Sequence, residues 1–254
     1  MDKKKMICAL MMGRAGSTGF PNKNFKKVLG RPLFEYPLIA SKKSDFVKKI
    51  FVTTDCPIII KGSKKYDAIH IERPKKLASK KSLGEDVYVH GYSEIKKILD
   101  LKAKDIEFIV LLMANAPTIS AKLIDKGINI LRKNKDFDSA VTVSIYNMWS
   151  PLRARKMDKN NLLKPFVPFK TFGNPKTLNC DRDSQGNVYF ADMSVSIVRP
   201  RCLENLKNGM LPQKWMGKKI APILSWGGCD VDYEWQLPMV EFWLKKNGYK
   251  NKRF

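Results

Sequence analysis

The sequence is short of histidine, of acids and of arginine. Two histidines, His70 and His90, are too few for a metal cluster, and His90 falls in a predicted helix near Tyr88, where it reads as a satisfied structural residue. The five cysteines, Cys8, Cys56, Cys180, Cys202 and Cys229, are odd in number and never spaced as CxxC, which excludes a zinc knuckle and a disulfide framework and points to reduced thiols in a cytoplasm. No apolar run reaches the roughly 18 residues that cross a bilayer, so no membrane insertion is expected. Met6–Met12 follows Lys3, Lys4 and Lys5 but runs directly into Gly13 and Arg14 without a cleavage-like site, and reads as a first strand rather than a signal peptide. Hydrophobic residues at 44% and charged residues at 28% exclude a collagen-like or disordered chain. A chain of 254 residues can bury a core without staples, so residues 1–254 are expected to form one soluble domain.

Acids number 24 against 48 Lys plus Arg, a formal charge of +24, and only ten of those cations are Arg. Such a charge invites a nucleic-acid partner. The lysines, however, recur as pairs along the whole chain, among them Lys42-Lys43, Lys96-Lys97 and Lys245-Lys246, mostly near the ends of predicted helices. Cations there suit the helix macrodipole and a solvated face, so nucleic acid is disfavoured as a partner. Arg, suited to planar bidentate contacts, is the more informative residue.

Apolar runs alternate with helical patterns. Strands are expected at Met6–Met12, Ile50–Thr54, Phe108–Met113, Ser139–Ile145, Ser194–Val198 and Lys219–Ser225. Helices are expected at Pro32–Ala40, Pro57–Tyr66, around Tyr88–Leu99 and Leu123–Leu131, and at about Gln236–Lys246 with Pro238 in the first turn. This order implies an α/β, Rossmann-like, mostly parallel sheet with helices on both faces. From about 150 to 192 the pattern breaks into prolines and aromatics without a helical period, as in an inserted hairpin arm or dimer-forming lobe. The tryptophans Trp215, Trp226, Trp235 and Trp243 read by default as core.

Ligands of open parallel sheets bind beyond the carboxyl ends of the strands. The first such loop, residues 13–24, combines three glycines with Arg14 and Lys23, a combination suited to a polyphosphate. It is neither a Walker A loop nor a GxGxxG turn; the competing reading is a flexible turn with incidental charges. A second constellation is Gly228-Cys229-Asp230-Val231-Asp232. If extended, it points Asp230 and Asp232 to one face, where they can share a hard cation such as Mg²⁺; alternatively, Asp232 caps the last helix. Together the two sites suggest chemistry on a nucleoside triphosphate.

The first loop resembles the signature of the CMP-sugar synthetases, the cytidylyltransferases that activate sialic acid and related nonulosonates, A-R-x-G-S-K-G-x-P-x-K-N. Arg14, Gly16, Ser17, Gly19, Pro21, Lys23 and Asn24 match it. Further segments agree in order: Thr53-Thr54-Asp55, Arg73-Pro74 with Leu77-Ala78-Ser79, Arg182 ahead of Asp192, and Gly228-x-Asp230-x-Asp232. The resemblance implies a nucleotide-diphospho-sugar-transferase-like fold, a homodimer, and transfer of CMP from CTP to the anomeric hydroxyl of a nonulosonic or other 2-keto-3-deoxy sugar acid. It implies that Arg14, Gly16, Ser17, Lys23 and Asn24 hold CTP, with Arg73 and Ser82 by the cytidine. Asp230 and Asp232 would take Mg²⁺, with Arg14 and Lys23 on the departing phosphates. Met113, Asn115, Arg182 and Asp192 would face the sugar.

Two of the departures fall on the sugar side and two do not. Met113 replaces a Gln associated with the sugar, Asp192 replaces the Asn of an Asn-Gly-Ala-Ile-Tyr strand, and Thr18 and Lys80 differ from the family pattern. Asp192 would repel an acidic sugar unless it pairs with Arg182 or meets a donor-rich substituent. Three rivals stay open: a same-fold nucleotidyltransferase with another nucleotide or acceptor, a basic nucleic-acid-binding protein, and a relative that has lost activity.

Overall fold

The apolar run Met6–Met12 forms β1, an interior strand of a seven-stranded sheet, buried on both sides as interior parallel strands are. The structure is a computed structural model and describes residues 5–16, 19–79 and 81–252. After β1 come a short hairpin of β2 (Lys27–Val28) and β3 (Arg31–Pro32), α1 (Glu35–Lys43), β4 (Lys49–Thr54), α2 (Pro57–Ser63), β5 (Ala68–Glu72), α3 (Lys75–Ala78) and α4 (Gly84–Ile98). Then follow β6 (Ile106–Met113), α5 (Ala121–Lys133), β7 (Ser139–Ile145), a small hairpin of β8 (Arg155–Met157) and β9 (Leu163–Pro165), β10 (Tyr189–Val198), α6 (Pro200–Glu204), β11 (Ile220–Leu224) and α7 (Leu237–Lys246).

The sheet order is β11-β7-β10-β6-β1-β4-β5. β10 lies antiparallel to both of its neighbours, and every other pairing in the sheet is parallel. Side chains alternate between two cores. Ile7, Ala9 and Met11 face Leu38 of α1, Ile59 of α2, Ile124 and Ile128 of α5 and Trp243 of α7. Cys8 and Leu10 face Tyr88, Tyr92 and Ile95 of α4 and Leu203 of α6. The expected α/β architecture with helices on both faces is therefore present. α5 starts at a Ser120 cap whose hydroxyl accepts from the Leu123 N–H at 3.4 Å, and α1, α4, α5 and α7 all carry basic residues in the last turn.

Several expectations need correction. The first helix begins at Glu35, because Arg31–Pro32 pairs with Lys27–Val28. An edge strand, β5, adds to the expected strands; its five residues include the polar His70 and Glu72. β10 starts at Tyr189, so the sheet reclaims the last residues assigned to the arm. Trp215 and Trp243 are core, whereas Trp226 and Trp235 are exposed. His90 sits on α4 with its buried Nδ1 unpartnered, so it is not satisfied. At the β11 edge, Pro222 lacks the N–H that would invite another strand. Among the described residues no helix is long and apolar enough to cross a membrane.

Candidate nucleotide site

The carboxyl ends of β1, β5 and β6 open on one cavity of about 220 Å³, lined among others by Arg14, Lys23, Asn24, Arg73, Met113 and Asn115. The loop after β1 is held by specific bonds. Gly16 takes φ 72°, a left-handed conformation that disfavours a side chain. The Ala15 N–H donates to Asp55 Oδ1 at 3.0 Å, and the Asn24 amide donates to the Arg14 carbonyl at 3.2 Å. Arg14 reaches across to the Ser79 carbonyl at 3.1 Å, joining the loop to the α3 turn. Ser82 lines the same wall, donating to the Lys76 carbonyl at 2.6 Å. Ser17, Thr18 and Lys80 lie outside the described residues.

Arg73 is the most deeply held of the cations. It is 7% exposed, its Nη2 donates to the Thr53 carbonyl at 2.5 Å, and its buried Nε has no partner in the protein. Burial pulls its pKa below the usual arginine value, with the nearby Arg14 charge adding to this and Asp55 opposing it. A guanidinium at the wall of a cavity, with N–H donors beyond the one spent on Thr53, is equipped to receive an acceptor from a ligand.

Asp230 and Asp232 stand at the other side of Lys23. Lys23 forms an ion pair with Asp232, and Asn115 donates to Asp230 Oδ2 at 3.4 Å. Burial raises the pKa of Asp230, the neighbouring Asp232 charge raises it further, and Lys23 offsets part of this. The helix-cap alternative is not realised: the N–H groups of Asp232 and Tyr233 both donate to Gln236 Oε1, at 2.7 and 2.8 Å, and the Asp232 carboxylate takes Lys23 instead. Two mutually repelling carboxylates, one of them partly buried, form a donor set that a hard cation would relieve. No group of three or more His, Cys, Asp or Glu gathers for a metal among the described residues.

The structure thus brings together Arg14, Lys23, Asn24, Arg73, Ser82, Met113 and Asn115 around the cavity, with Asp230 and Asp232 beside it. It does not bring in Arg182 or Asp192. Arg182 lies in the arm with its side chain 69% exposed and pairs with Asp183 at 2.7 Å, not with Asp192. Asp192 is 5% exposed and accepts from Ser144 Oγ at 2.7 Å and from the Ser194 N–H at 3.2 Å. Its carboxylate is satisfied inside the fold, away from the cavity lining. Asp55, which ties down the first loop, is a further site residue, and its signal in the sequence is its place directly after β4.

The chain is similar to several known proteins. The chain is 27% identical over 160 residues to the N-acylneuraminate cytidylyltransferase of Escherichia coli, an overlap of 63% of this chain and 36% of that protein. It is 24% identical over 170 residues to a pseudaminic acid cytidylyltransferase and UDP-2,4-diacetamido-2,4,6-trideoxy-beta-L-altropyranose hydrolase of Helicobacter pylori, covering 66% of this chain and 31% of that one. The chain therefore spans about a third of the length of these curated relatives. With the post-translational flagellin modification protein B of Campylobacter coli it shares 28% identity over 257 residues, 98% of this chain and 97% of the other. Among solved structures, a CMP:2-keto-3-deoxy-manno-octonic acid synthetase complexed with CTP superposes with a TM-score of 0.64 at 13% identity, covering 96% of this chain and 100% of that one, a likeness of fold. The cytidylyltransferase family model matches residues 8–207, from β1 through the phosphate-type loop and the arm to α6, and the chain belongs to that family.

Proposed function

We propose that this protein transfers CMP from CTP to the anomeric hydroxyl of a nonulosonic, sialic-acid-like or related 2-keto-3-deoxy sugar acid and releases pyrophosphate. The observation that carries the reading is the convergence of Arg14, Lys23 and the buried Arg73 on one cavity, with the Asp230–Asp232 pair across Lys23. The hydroxyl oxygen forms a bond to the α-phosphorus, the α–β phosphoanhydride bond breaks, and its electron pair leaves with pyrophosphate while the hydroxyl proton passes to solvent. Arg14 and Lys23 lie where they would balance charge on the departing phosphates, and Arg73 where it would hold the nucleotide. Asp230 and Asp232 would hold Mg²⁺, which when bound supplies a positive charge against the triphosphate.

Met113, in the cavity wall, stands where the family pattern has a sugar-associated Gln, and this supports an acceptor other than ordinary N-acylneuraminate. The exposed apolar side chains of the arm, Met157, Leu162, Leu163 and Phe166, support a homodimer formed through it. The scattered cysteines, never spaced as CxxC, support a cytoplasmic location. The test is pyrophosphate release with CTP and Mg²⁺ across a panel of sugar acids, with UTP, ATP and GTP as competitors. Turnover with CTP and one acid sugar is expected. Preference for another nucleotide, no turnover with any sugar acid, or an Asp230→Asn protein with full activity would overturn the corresponding part of the reading.

A further inference from the structure

The loop that carries Asp230 and Asp232 belongs to no strand or helix, so its backbone groups must be paired by other means. Side chains do much of this. The Gly228 N–H donates to Ser144 Oγ at 3.0 Å, and the Tyr146 hydroxyl donates to the Gly228 carbonyl at 2.9 Å. The Cys229 N–H donates to Thr118 Oγ1 at 2.9 Å, and the same hydroxyl donates back to the Cys229 carbonyl at 3.1 Å. Asn115 closes the far end: its carbonyl accepts from the Val231 N–H at 2.8 Å and its side chain donates to the Val231 carbonyl at 3.1 Å.

Asp192 is the charged member beneath this lattice. Its Oδ2 accepts from Ser144 and its Oδ1 from the Ser194 N–H, so Ser144 acts as a relay that accepts from Gly228 and donates to Asp192. A Cβ at Gly228 would overlap the Asp192 carboxylate, so the loop lies as close to that acid as a backbone can. The next residue, Met193, is held at φ 60°, where a non-glycine side chain is strained, within a register shift of β10 between Ala191 and Ser196. The fold maintains a costly local conformation beside this carboxylate.

We propose that Asp192, acting through Ser144, is the positioning residue that fixes the Gly228–Asp232 loop so that Asp230 and Asp232 stand ready for a divalent cation. The inference rests on the role proposed above for those two carboxylates. The Asp192–Ser144–Gly228 brace holds the loop in place before a cation arrives and so spares that cation the ordering of the loop. An amide at position 192 cannot accept from both partners: if its oxygen keeps the Ser194 N–H, its NH₂ faces Ser144 and the hydroxyl proton of Ser144 loses its acceptor.

The experiment uses the full chain with Mn²⁺ as probe, measuring free Mn²⁺ by electron paramagnetic resonance and CTP affinity in the presence of a chelator. Asp192→Asn and Ser144→Ala should each weaken Mn²⁺ binding about tenfold while metal-free CTP affinity changes by less than about twofold. The double variant should be no weaker than the worse single one, because both act on one relay. Gly228 amide exchange should accelerate in each. Wild-type Mn²⁺ affinity in Asp192→Asn, or equal loss of Mn²⁺ and CTP binding, would overturn the positioning role. Asp230→Asn separates the two claims. If it abolishes Mn²⁺ binding while Asp192→Asn does not, the cation reading stands and the brace falls. If it binds Mn²⁺ as wild type does, the cation reading falls and this inference with it.

Discussion

Arg73 and Asp230 show how single residues in this cleft are tuned by burial. Arg73 already uses Nη2 on the Thr53 carbonyl and keeps Nε unspent. Arg73→Lys retains the charge but cannot hold Thr53 and offer a second donor in the same plane. We expect it to raise the KM for CTP about tenfold with little change in melting temperature, measured by steady-state kinetics and differential scanning fluorimetry. Asp230 carries a penalty instead. Its raised pKa means that the folded chain holds a proton more tightly than the unfolded one, so stability falls as pH rises from the ordinary carboxylate range through the raised value. Without divalent cations, Asp230→Asn should therefore melt about 1–3 °C higher than wild type at neutral pH, with the difference shrinking towards acid pH, while losing activity. An unchanged or lower melting temperature would contradict the assignment. At this scale the sequence was informative for Arg14, Lys23 and Arg73, which carry distinctive neighbours. It misled at Asp192, because an acid near a sugar motif looks like a ligand contact until the fold shows Ser144 and Gly228 lying against it.

At the scale of elements, tight helix-to-sheet packing sets how far the cleft walls can move. α5 lies over β10 and β11 so closely that a Cβ at Gly127 would overlap the side chains of Ile223 and Ile197. Gly127→Ala should destabilise by about 1–3 kcal/mol through overpacking, despite the better helix propensity of alanine, as read by urea denaturation. CTP affinity should be unchanged, since Gly127 lies outside the cavity lining. The long apolar strands and the amphipathic α4 and α5 were readable because period and burial coincide. β5 was not, because a short edge strand with polar residues carries no continuous apolar run. The antiparallel direction of β10 was equally hidden: hydrophobic pattern records burial, whereas direction is set by the arm that precedes the strand.

Across the whole molecule, the arm between β7 and β10 is the largest departure from the alternating strand-and-helix order. Ile145 and Tyr189 are paired partners at its base, and the Tyr146 N–H donates to the Val188 carbonyl at 3.0 Å. The arm thus leaves and re-enters the sheet through one antiparallel neck. Replacing residues 148–186 with a short glycine-containing turn should preserve cooperative unfolding and the far-UV spectrum, and should yield a monomer by sedimentation if the arm forms the proposed dimer. A molten product would show that the arm is needed for the core. The neck has a further consequence for how such a protein diverges. Loop-closure entropy rises only with the logarithm of length, so a lineage can lengthen, shorten or re-surface everything beyond residues 146 and 188 as a cassette, while the strand ends that carry the cavity keep their register.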